Sequence, residues 1–283
     1  MTRSPLSSAQ QARQRVAARL RDMRLDAGLT GDALSVKCGW SPAKSSRLEH
    51  AKAIPSDSDL RLWCEACGRP ERAEDLISAS REVDLLYVEW RRRQRNGLSQ
   101  LQDSLLPVYE QSRVLRLYSS SMVPGLLQTT EYATALLSTI SGFRGLPNDV
   151  DQAVASRAQR GRVLYEGDHR LVILIDEAVL RRPFGGREAM AAQLRHLRNL
   201  LSVPSLALGI IPFGSSWESV WLLETFHIFD SALVTVETLS AYIRITERTE
   251  IALYERAFVE LGRMAMYGPS AKALIETALT TLG

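Results

Sequence analysis

Residues that could do chemistry fall in three places in this chain. Cys64 and Cys67 form a C-x-x-C, with Cys38 and His50 as the other nearby metal-type side chains. A zinc or thiol-sensing site would need all four together. A single C-x-x-C inside a helical run supports it weakly, because free cysteines are usually buried. Asp176 and Glu177 follow the apolar run "LVILI", where open α/β sheets bind ligands at strand C-termini. The third place is "CGWSPAKSSRLEH", residues 38–50, a short run with Lys44 and Arg47 and almost nothing apolar to bury. Either its outer face is solvated, or something outside the protein fills it.

Catalytic patterns are missing from the sequence. It has no G-x-S-x-G, Walker loop, H-E-x-x-H or G-x-G-x-x-G, and His169, His196 and His227 stand apart from any nucleophile. The expectation is therefore a non-enzyme with no cofactor and no bound metal.

The elements that position these residues follow from periodicity and caps. Val16, Leu20, Met23 and Ala27 repeat at helical spacing over residues 10–27, and Gly28 stops that helix. Thr30 caps a second helix with Leu34 and Cys38 on one face, and Gly39-Trp40 turns the chain. Ser41 caps a third, with Pro42 at its first position, ending near His50. Ser56 caps a fourth, closed by Gly68, and residues 70–96 read as a longer fifth helix ending in the basic "WRRRQRNG". Beyond residue 97 the pattern changes. "RLVILIDEAVL" and "SLALGIIPF" read as buried strands around the helix "REAMAAQLRHLRNLL", a βαβ unit with a parallel pair. "ETFHIFD" and "ALVTVETL" read as an antiparallel hairpin, followed by two helices.

Charge is unevenly placed. Residues 1–100 hold 18 Lys+Arg against 13 Asp+Glu, and residues 101–283 hold 17 against 19. A basic first third points to a polyanionic partner. Three cysteines fit a reducing cytoplasm, and no apolar run reaches the roughly 18 residues of a membrane span. The fold class expected is α+β overall: a five-helix helix-turn-helix head over residues 1–70, a connecting helix over 71–97, and a mixed α/β domain over 98–283.

Leu29-Thr30, Gly39, Ser46-Arg47-Leu48-Glu49 and Pro55 occur in the order and spacing of one family. Residues 10–70 resemble the Cro/phage-repressor (Xre) class of DNA-binding domain. The resemblance implies that the third helix enters a major groove and presents Pro42, Ala43, Lys44 and Arg47 to base edges. Pro42 and Ala43 can offer only apolar contact, for example to a thymine methyl. Lys44 and Arg47 can reach guanine, or a phosphate instead. Thr30, Ser41 and Lys52 are placed for phosphates. Glu49 is structural in that class. Ser45 departs from the pattern, standing where the family has Val or Ile, so a buried hydroxyl needs a partner.

"VPGLLQTTEYA", "DEAVLRR" and "LGIIPF" resemble the C-terminal domain found behind Xre heads in actinobacterial regulators, a group described as antitoxin-like and accompanied by a small acidic partner protein. The expected function is a cytoplasmic DNA-binding transcriptional regulator acting on double-stranded DNA as a homodimer. Its body would sense a small-molecule effector, through a pocket of Asp176, Glu177, Arg181, Trp217 and Trp221, or bind the small partner. Against that pocket, the carboxylates can cap the following helix and the tryptophans can be core.

Overall fold

The computed structural model describes residues 8–89 and 97–282. The chain divides into two compact units between Val88 and Glu89. The basic run at residues 90–96 lies outside the described residues.

The first unit is helical: α1 (Ser8–Asp26), α2 (Gly31–Cys38), α3 (Pro42–Glu49), α4 (Asp57–Ala66) and α5 (Ala73–Leu86). The fifth helix is shorter than expected. A single 3-10 turn, Pro70–Arg72, precedes it, and a three-residue strand β1 (Tyr87–Glu89) follows. Pro70 fits a first turn, and Tyr-Val at its far end is a strand-forming pair. Leu20, Leu34, Leu48, Leu60, Trp63 and Leu76 meet in one core. Trp63 is fully buried and its indole N–H donates to Leu20 O at 3.0 Å, so the ring brings no unsatisfied donor inside.

The second unit alternates helices and strands: α6 (Leu98–Gln111), β2 (Val114–Ser119), α7 (Thr130–Arg144), α8 (Val150–Arg160), β3 (Arg170–Asp176), α9 (Glu177–Arg181), α10 (Arg187–Leu200), β4 (Leu206–Ile211), β5 (Phe226–Phe229), β6 (Leu233–Glu237), β7 (Ala241–Ile245), α11 (Arg248–Met264) and α12 (Gly268–Leu282). Strands β2 to β7 lie in the sheet order β7-β6-β5-β2-β3-β4. The β2–β3 and β3–β4 pairs are parallel, each joined by a helical crossover; the other pairs are antiparallel. The expected βαβ unit and hairpin are present. Helix α6 and strand β7 are additions.

Both faces of the sheet are covered. Ile173, Ile175, Leu208 and Ile210 face α10 and α12, whereas Tyr118, Leu174, Ile211 and Phe226 face α11. Burial on both sides explains why these strands read as unbroken apolar runs. At the start of the unit, Asp149 accepts from the N–H groups of Leu98 and Ser99 at 3.0 and 2.8 Å, capping α6 from a distance. Gly97 has φ +101°, and a Cβ there would lie 2.2 Å from that carboxylate, so the approach requires glycine. Among the described residues, no helix is long and apolar enough to cross a membrane.

Candidate nucleic-acid interface

Helices α2 and α3 are set by their ends. Thr30 caps α2, its hydroxyl accepting from Ala33 N at 3.1 Å. Gly39 closes it in the left-handed region (φ 67°), where its N–H reaches Val36 O and Trp40 N–H reaches Ser35 O. Only glycine takes this backbone without cost, and it fixes the turn into α3. Ser41 has the extended backbone of an N-cap, but its side chain makes no capping bond, and Pro42 supplies the pre-set first turn. The Ser41 hydroxyl and the α3 N-terminus are thus left to the outside.

Helix α3 is held from beneath by three groups. Leu48 is buried against Leu20 and Leu34 in the head core. The Ser45 hydroxyl lies 2.6 Å from the Ser35 hydroxyl, and Ser35 donates onward to Gly31 O at 2.8 Å. Both serines are buried. Ser45 therefore finds its partner across the helix pair. Glu49 forms an ion pair with Arg24, which also donates to Leu29 O at 2.6 Å. That contact ties the end of α3 to α1 and agrees with a structural role for Glu49.

The outer face is Pro42, Ala43, Ser46 and Arg47, all exposed. Arg47 forms no ion pair among the described residues. Lys44 differs: its ammonium is 2.6 Å from Asp59 and 4.3 Å from the centre of the Trp40 ring. Asp59 is itself fixed, because it completes the α4 capping box with Ser56. Burial alone would raise the Asp59 carboxyl, but the hydrogen bonds from Lys44 and Ser56 outweigh it and hold it below the usual carboxylate range. Lys44 is thereby bound into the head, and Arg47 is left as the free cation of the face. The helix ends in a left-handed cap at Ala51 (φ 54°), with Lys52 N–H to Arg47 O at 2.8 Å. This places exposed Lys52 directly after α3.

The three cysteines are buried free thiols in the head. Burial raises all three, and Cys67 is pushed up to about 11, so they are protonated and unreactive at neutral pH. Among the described residues, no group of three or more His, Cys, Asp or Glu could hold a metal.

In the second unit the residues read as a strand-end pocket separate onto two sides. Asp176 accepts from the Tyr118 hydroxyl at 3.1 Å, on the α11 side where Trp217 also packs. Glu177 accepts from Arg181 at 2.8 Å and from Phe213 N–H at 3.1 Å, while Arg181 donates to Thr281 of α12. Glu177 and Arg181 thus lock the end of β3 to the segment after β4 and to α12. Trp221 is exposed.

Residues 102–277 match the family model described as "Domain of unknown function (DUF5753)", which is well over half of the chain. The chain belongs to the DUF5753 family. Ahead of its DUF5753 region, residues 15–76 match a helix-turn-helix domain model, a span that takes in α2, α3 and α4 whole. No curated protein matches. Among solved structures, this DUF5753 chain is similar to NucT from Helicobacter pylori (10% identity, 64% of this chain and 97% of that one, TM-score 0.36). It is also similar to TrmBL2, titled an archaeal chromatin protein with a novel mode of DNA binding (13% identity, 81% and 72%, TM-score 0.32). At such TM-scores neither likeness bears on fold or function.

Two residues of the DUF5753 chain's head escaped the sequence reading. Asp59 carried a signal, since a Ser-x-x-Asp at a helix start is a capping pattern. Ser35 carried none, because its role depends on the angle at which α2 meets α3.

Proposed function

We propose that this protein is a sequence-specific DNA-binding transcriptional regulator of the Xre class, acting in the cytoplasm as a homodimer with no catalytic step. The observation that carries the reading is the face of α3. Pro42, Ala43, Ser46 and Arg47 are exposed, the Ser41 hydroxyl is unspent on its own helix, and Lys52 follows at the far end. A helix held by Leu48, Ser45 and Glu49 and left polar outside suits a major groove about 12 Å wide. Arg47 reads a base edge, most simply guanine, and Pro42 and Ala43 provide apolar contact. Ser41, Thr30 and Lys52 serve phosphates. Lys44 shapes the surface from its place between Trp40 and Asp59.

Selection of bound fragments from random duplex DNA tests this. A recovered palindrome, protected on both half-sites and lost with Arg47→Ala, is the expected result. Recovery of unrelated sequences would refute it.

A second property, binding of a small acidic partner protein by an antitoxin-like body, is supported by Phe213, Trp221 and Leu222. All three are large, apolar and exposed within one connecting segment between β4 and β5. Phe213→Asp with Trp221→Asp should abolish that complex and leave DNA selection unchanged.

A further inference from the structure

Helices α6, α7 and α8 and the sheet line a partly open cavity of about 470 Å³ in the second unit, within the size range of small-molecule sites. One wall is apolar, with Leu101 and Leu105 from α6 and Leu137 and Ile140 from α7. The other end holds two arginines of α8, Arg157 and Arg160, three residues apart on one face of the helix.

Arg160 is only 4% exposed, and its buried Nε and Nη1 have no hydrogen-bond partner. Its guanidinium lies 5.0 Å from the centre of the Tyr109 ring. Arg157 is held by neutral acceptors, the side-chain oxygens of Gln102 at 3.2 Å and Gln128 at 2.7 Å. Burial and the neighbouring Arg160 push Arg157 down to about 10.

The surroundings balance this charge only in part. His227 adds none, because burial and Arg160 push it down to about 4, and its Nδ1 is 3.0 Å from the Tyr109 hydroxyl. Of the lining carboxylates, Glu224 accepts from Tyr254 at 2.7 Å and Glu237 is exposed. Neither forms an ion pair with Arg157 or Arg160 among the described residues, although Glu237 attracts Arg157 through space and partly offsets the effect of burial. Arg144, also on the lining, is a third cation, and it donates to Leu239 O at 3.0 Å. Burying a guanidinium without a counter-charge is costly, and two together compound the cost by repulsion. An acceptor from outside the chain would relieve both.

We propose that this cavity is a binding site for a small organic anion, with a carboxylate or phosphate head on Arg160 and Arg157 and an apolar body against Leu101, Leu105, Leu137 and Ile140. The site belongs to the DUF5753 region and does not depend on DNA binding by the head.

Calorimetry on the full chain with decanoate, decyl phosphate and decanol tests it. One anion should bind with one site per chain, at least tenfold more tightly than decanol, and the tighter of the two identifies the head group. Arg160→Met should weaken the anion at least tenfold, leave decanol unchanged, and melt no lower than the parent, since it removes an unpaired buried charge. Ile140→Trp narrows the cavity without touching the arginines, and should also weaken the anion at least tenfold. Failure of both anions to bind the parent chain, or binding unchanged by both substitutions, would overturn the proposal. Should Arg160→Met not fold, Ile140→Trp alone decides.

Discussion

The hydroxyls of Ser35 and Ser45 lie 2.6 Å apart in the seam between α2 and α3, closed off from water. Ser45 donates to Ser35, because the Ser35 proton is already given to Gly31 O. Two small polar groups replace the aliphatic packing expected at this crossing, and each satisfies the other. Removing one partner costs more than removing both. Ser45→Ala should destabilise the head by about 1 kcal/mol, and Ser35→Ala with Ser45→Val should recover most of the loss. Urea denaturation of the parent and the two variants measures the loss and its recovery.

Arg47 and Lys44 should separate by phenotype. Arg47→Ala leaves melting unchanged, since the side chain is exposed and unpaired, and costs about 1–3 kcal/mol in binding the selected site. Lys44→Ala breaks the Asp59 pair and the Trp40 contact, so it lowers stability by up to about 1 kcal/mol. Thermal melts and fluorescence anisotropy on the same proteins distinguish the two. Lys52→Ala should weaken all duplexes alike and reduce the salt slope by about one.

Ala51 ends α3 in the left-handed region, a conformation that costs a residue with a Cβ roughly 1 kcal/mol. Ala51→Gly should therefore stabilise the head by up to about 1 kcal/mol, after the entropy of the freer unfolded chain is subtracted. Unchanged or lower stability would mean that the cap is not strained.

Asp176 and His227 oppose each other in acid. Burial raises the Asp176 carboxyl to about 6 against an ordinary 3.8. The folded chain then takes that proton first, and ionised Asp176 costs stability above pH 6. Burial depresses His227 to about 4 against 6.5. There the unfolded chain takes the proton first, so stability is lost as pH falls from 6.5 to 4. Each slope reaches at most about 1.4 kcal/mol per pH unit. Relative to the parent, Asp176→Asn should gain most above pH 6 and little at pH 4. His227→Gln should show no pH-dependent difference at pH 7 and gain progressively from 6.5 to 4. Denaturation midpoints across pH 4–7 read both trends.

Local chemistry alone was enough for much of this molecule. The caps at Thr30 and Ser56, the N-terminal position of Ser41, the stop at Gly39 and the buried runs at 171–175 and 206–211 all appear where their spacing puts them, because capping, glycine's left-handed backbone and two-sided burial are properties of a few neighbouring residues. The helix expected over 70–96 gave way after Leu86, and strand β7 was not read from its five residues. The division of labour among charged and polar groups lay beyond any local pattern. That Lys44 is held by Asp59 while Arg47 is free, that Asp176 and Glu177 turn to opposite sides, and that Arg157 and Arg160 form no ion pair among the described residues are outcomes of packing. Sequence determines which residues carry charge and on which element they ride. Only the tertiary structure decides which opposite charge comes within hydrogen-bond reach, because such partners can be far apart in the chain, as Arg116 and Glu255 are at 139 residues.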